Sequence, residues 1–166
     1  MGTCAQKASV QTMASAVQEA PSLPSWDLSE LYQGVDDPKI ESDLKAALSN
    51  AQAFEKKYRG QISRPEVTAQ ELRKALDDYE ELLRLQSRPG SYASLHYSTD
   101  TSDSARGALT QKVREMGSQI STHLIFFDLE LARHSPETYD RLLQGSELDK
   151  YRHYLEQQQA LAKHYL

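Results

Sequence analysis

Five histidines, a run of acids, nine tyrosines and one cysteine are the residues of this chain best equipped for chemistry. The histidines are His96, His123, His134, His153 and His164. A zinc site built on a helix needs two ligands four residues apart and others converging on them. No histidine pair has that spacing. His153-Tyr154-Leu155-Glu156 opens like an inverted zinc motif, but Gln157 stands where its last histidine belongs. These histidines therefore read as surface or interface residues, and His123, inside an apolar stripe, as a partly buried histidine with a partner. Asp77, Asp78, Glu80 and Glu81 are expected to face solvent, with Tyr79, Leu82 and Leu83 inward. Asp128 and Glu130 flank apolar positions in Phe126-Phe127-Asp128-Leu129-Glu130-Leu131. A buried charge requires a partner, so they are expected to link to a neighbouring helix or to a further domain. Cys4 has no fixed base beside it in a polar tail, which makes it a poor nucleophile. A Gly-rich phosphate loop and a Gly-x-Ser-x-Gly elbow are both missing. The tyrosines follow helical spacing and read as core. No residue is thus assigned a catalytic, cofactor-binding or metal-ligating role.

The charge balance narrows the partners. Net charge is −5 with basic residues scattered among acids, so nucleic acid is not an expected partner. No apolar run reaches the roughly 18–20 residues that span a bilayer, so no membrane partner is expected either. A lone cysteine permits no internal disulfide and fits a reducing, cytoplasmic location. Met1-Gly2-Thr3-Cys4-Ala5-Gln6 resembles a myristoylation signal, with Gln6 where Ser or Thr is wanted. Residues 1–25 lack the apolar core of a secretory signal and read as a flexible tail.

The elements that would position these groups are all helical. Over Thr101 to Arg133, apolar residues fall at Leu109, Val113, Met116, Ile120, Leu124, Phe127 and Leu131, in steps of three and four. Ile125, Phe126, Leu129 and Ala132 widen the stripe, so this end should be buried on more than one side. A helix of about 45–50 Å must have others packed along it. Before it, Trp26-Asp27-Leu28-Ser29-Glu30-Leu31-Tyr32 reads as a short capped helix that anchors on the bundle. Asp37-Pro38 starts a helix bearing Ile40, Leu44, Ala47, Leu48, Ala51, Phe54 and Tyr58, which Gly60 stops. Thr68-Ala69-Gln70-Glu71 is a capping box opening a helix with Leu72, Ala75, Leu76, Tyr79, Leu82 and Leu83 inside. Arg88-Pro89-Gly90 should break or sharply kink it, leaving Tyr92, Leu95 and Tyr97 on a short piece. Thr101 or Asp103 caps the central helix. Ser135-Pro136 opens a short helix with Tyr139, Leu142 and Leu143, and Ser146 is expected to cap the last one. With no alternating strand pattern, the fold class is all-α: a bundle of about five to six helices around one long central helix. Residues 26–166 form its domain. The last helix reaches Leu166 without a stop signal, which suggests a domain truncated at its C-terminal end.

Several segments then acquire a shared meaning. Trp26 to Tyr32, Asp37-Pro38 and Phe54-Glu55-Lys56-Lys57-Tyr58-Arg59-Gly60 resemble the opening of oligoendopeptidase F-type zinc metallopeptidases, of the thimet oligopeptidase-like superfamily. Tyr92-Ala93-Ser94-Leu95, Asp100-Thr101, Phe127-Asp128-Leu129-Glu130-Leu131 and Tyr151-Arg152-His153-Tyr154-Leu155-Glu156, then His164-Tyr165-Leu166, continue the likeness in order and at similar spacing. The resemblance implies a helical N-terminal domain that walls a channel for short peptides, whose partner is a missing C-terminal catalytic domain. It implies zinc in the full-length parent, held by a downstream His-Glu-x-x-His helix that this chain does not contain. The chain alone is therefore expected to be inactive. The alternative is a stand-alone helical interaction or scaffold protein derived from such a domain.

Overall fold

The computed structural model describes residues 27–162; Cys4, Trp26, His164 and the expected tail lie outside them. Asp37 caps helix α1 (Pro38–Tyr58) by accepting from the Lys39 N–H at 2.9 Å, with Pro38 at the first helical position. Gly60 ends it at φ 77°, the left-handed conformation that a side chain resists. Thr68 and Glu71 complete their reciprocal capping box at the start of α2 (Ala69–Thr99). Asp103 caps α3 (Ser104–Ala132) through the Ala105 and Arg106 N–H groups. Ser135 caps α4 (Pro136–Leu142), and α5 (Arg152–Ala162) follows a single 3₁₀ turn, Asp149–Tyr151. The described residues form an all-α bundle without strands.

The first three helices run up, down and up. Phe54 meets Tyr79 and Lys57 meets Asp78, while Thr110 meets Ala93 and Gly117 lies against Gln86, so α2 is antiparallel to both neighbours. Lys112 pairs with Glu41 and His123 with Glu55, so α1 and α3 run parallel. The larger core joins Ala47, Ala51, Phe54 and Tyr58 of α1 to Leu72 and Leu76 of α2 and to Ile120, Leu124, Phe127 and Leu131 of α3. Tyr139, Leu142, Leu148 and Leu155 close its far side. A smaller core at the other end gathers Tyr32, Ile40, Leu44, Tyr92, Ala93 and Leu109.

Several expectations need correction. Asp27 to Tyr32 is a turn, with Leu28 O accepting from Leu31 and Tyr32, and Asp27 accepts from the Ser29 N–H. One turn is too short to propagate as a helix, yet buried Tyr32 makes it the anchor that its composition predicts. Pro89 does not break α2, which passes through it and is 31 residues long against 29 for α3. Pro89 is buried, and Tyr92 and Ala93 beyond it pack into the smaller core, so tertiary burial offsets the lost hydrogen bond. Leu83 is exposed, although it follows buried Leu76 by seven residues on the same side of α2. Phe126 and Ala132 are buried, but Ile125 (59% exposed), Leu129 and Leu161 are open. Ser146 caps no α-helix; its carbonyl accepts from Asp149, and α5 begins only at Arg152.

Candidate functional site

The buried polar residues, Glu130 and His134, lie at the end of the bundle where the loop after α1, the C-terminal half of α3, and α5 converge. Glu130 sits there, buried, because its neighbours Phe126, Phe127 and Leu131 carry α3 into the larger core. One carboxylate oxygen accepts from the Gly60 N–H at 2.6 Å, the other from the Ile62 and Ser63 N–H groups at 3.1 Å each. The loop amides left unpaired beyond the helix end are thereby satisfied by one side chain. Asp128, two residues earlier, points elsewhere: it accepts from the Tyr154 hydroxyl of α5 at 2.9 Å. Desolvation holds the Asp128 carboxyl above the usual aspartate range, and Tyr154 opposes this only in part. Burial, then the Asp128 charge, push Tyr79 up to about 12. Asp128 thus makes the link to a neighbouring helix expected of it, whereas Glu130 reaches the loop after α1 instead.

His123 has its partner. Its Nδ1 lies 2.6 Å from a Glu55 carboxylate oxygen, and Arg59 pairs with the same carboxylate. The hydrogen bond from His123, then those from Arg59, keep Glu55 below the usual glutamate range. His134 is buried beside the edge of Tyr139, with Nε2 unpaired among the described residues. Desolvation pushes its pKa below 6.5, opposed by the Ile62 backbone. A cleft of about 640 Å³ lies alongside, between Ala132, Arg133 and Pro136 on one side and Glu156, Gln159 and Ala160 of α5 on the other. His153 is exposed and touches Gln157, and His96 packs edge-on against Tyr92.

The acidic run on α2 is only partly solvated. Asp78 accepts from the Tyr58 hydroxyl at 2.5 Å and pairs with Lys57. Asp77 accepts from the Tyr151 hydroxyl at 2.7 Å, and Glu80 bonds Tyr151 and Lys150. With Tyr32 on Asp43 at 2.8 Å and Tyr154 on Asp128, four tyrosines keep their rings in or against a core and hand their hydroxyls to a carboxylate elsewhere. Helical spacing finds the rings; nothing in it reveals the carboxylates, which come from other elements. The links can brace the bundle, and they leave Asp128 and Glu130 facing different partners rather than a shared substrate position. Among the described residues no group of three or more His, Cys, Asp or Glu side chains is placed to hold a metal ion, so zinc fits no position described here. No described helix is long and apolar enough to cross a membrane. No family model, curated protein or solved structure matches the chain.

Proposed function

We propose that this chain is the N-terminal helical domain of a zinc-dependent oligopeptidase of the oligoendopeptidase F type, acting in the cytoplasm. In this reading it walls a channel that admits short peptides and leaves the chemistry to a separate catalytic domain. The reading rests on the ordered likeness of its segments, and one observation supports treating them as a unit. Phe127 to Leu131 and Phe54 to Gly60, far apart in sequence, interlock: Phe54 packs on Phe127, and Glu130 grips the Gly60 amide. Both segments therefore belong to one folded unit.

The channel role also agrees with carboxylates committed to tyrosines and loop amides, which give a stiff wall rather than a reaction centre. The test is the coding sequence after the Leu166 codon. An in-frame His-Glu-x-x-His within a few hundred residues is expected, and the longer product should cleave short peptides until a chelator removes its zinc. A stop codon directly after Leu166 overturns the reading for this gene product and leaves the scaffold alternative.

A further inference from the structure

One side of α3 is covered by none of its neighbours. Glu115, Ser118, Thr122, Ile125 and Leu129 recur there in steps of three and four, and all are exposed. From Ser118 to Leu129 this row carries no charge, in a chain whose residues are 26% charged. The Thr122 hydroxyl is already spent on the Ser118 carbonyl at 3.0 Å, so this residue can be covered without orphaning a donor. Small side chains occupy one half of the row and bulky ones the other.

We propose that this face is where a second copy of the chain docks, through an antiparallel α3–α3 contact about a two-fold axis between residues 123 and 124. A two-fold contact requires each residue to suit its mirror position, and this row does. About that axis Leu129 falls opposite Ser118 and Ile125 opposite Thr122, so each bulky side chain meets a small one, the alternation by which helices interdigitate. The charges at the ends match as well. Glu115 falls opposite Ala132, next to Arg133, and the Arg133 guanidinium has no ion-pair partner among the described residues. Two Glu115–Arg133 pairs would bracket the contact. The cleft beside Arg133 supplies room for the first turns of the opposing helix. A single helix pair lies at the small end of specific interfaces, below about 1,200 Å² in total, so the dimer forms and dissociates with concentration. The inference is independent of the peptidase reading.

Sedimentation of the 166-residue chain over a broad concentration range tests it. A monomer–dimer equilibrium is expected. Ile125→Asp should weaken it by about tenfold to a hundredfold, with an unchanged circular dichroism spectrum because the site is exposed. Arg133→Glu should weaken it, and Glu115→Arg combined with Arg133→Glu should restore it; that recovery separates the proposed register from unspecific stickiness. A chain that stays monomeric at every concentration, a dimer indifferent to Ile125→Asp, or a double variant no better than Arg133→Glu overturns the proposal. Growth into open-ended aggregates does so too, since a two-fold contact closes.

Discussion

Glu130 shows what one side chain can decide. Its neighbours bury it, three backbone donors make that burial tolerable, and those donors are satisfied because it is there. Glu130→Ala leaves three loop amides without an acceptor and should cost about 3 kcal/mol by urea denaturation; Glu130→Gln, which keeps one acceptor oxygen, should cost about half as much. His134 and Asp128 give two pH dependences of opposite sense. His134 is held below 6.5, so the unfolded chain binds a proton that the folded chain refuses. Its contribution is complete above pH 6.5 and is lost as pH falls through the lowered folded value. Asp128 is held above 3.8, so its penalty is absent below that pH and grows as pH rises through the raised value. Melting temperatures measured against pH should show the decline below pH 6.5 flattened in His134→Phe. The slope just above pH 3.8 should disappear in Asp128→Asn. The sequence marks Asp128 and Glu130 as acids inside an apolar stretch, which is why their burial and need of partners are readable there. It cannot say that one reaches a loop and the other a tyrosine of α5, because that depends on how α5 lies across α3.

At the scale of elements, the caps were legible and the exceptions instructive. Asp37-Pro38, Thr68 with Glu71, Asp103 and Ser135-Pro136 all start helices, because local hydrogen bonds alone define these signals. Gly60 stops α1 for the same kind of reason. A Cβ there would meet nothing within 4 Å, so Gly60→Ala should report the left-handed backbone penalty almost alone, about 1–2 kcal/mol in thermal denaturation. Pro89 was misread because its cost is local whereas the gain, Tyr92 and Ala93 entering the smaller core, is not. Pro89→Ala should therefore stabilise the chain by about 1 kcal/mol, the restored hydrogen bond and helix propensity outweighing the lost ring contacts; a chemical denaturation midpoint that falls instead would show the ring to be an indispensable part of that packing. Leu83 follows buried Leu76 by seven residues and so lies on the same side of α2, yet it is exposed: helical spacing shows which side faces inward, but not how far along the helix a neighbour covers it.

At the scale of the whole molecule, the described residues form two cores strung along α1, α2 and α3. The larger draws on every helix, whereas the smaller depends on the Leu28–Tyr32 turn and single stretches of α1, α2 and α3. Amide hydrogen exchange should therefore show residues 89–99 and 104–113 opening more readily than residues 47–58 and 120–131; equal protection at both ends would mean one cooperative unit. The fastening of that smaller core also has an order in time. Arg88 donates to the Glu30 and Leu31 carbonyls, and Tyr92 meets Tyr32 edge-on at 5.1 Å, so the turn is held by side chains made nearly sixty residues after it. On the ribosome, Leu28 to Tyr32 emerges with only α1 to grasp, through Tyr32 and Asp43, and the rest of its contacts must wait until α2 has cleared the exit tunnel. A nascent chain arrested before Arg88 leaves Leu28, Leu31 and one side of Tyr32 uncovered, which makes this short turn the place where a holding chaperone would find the unfinished protein.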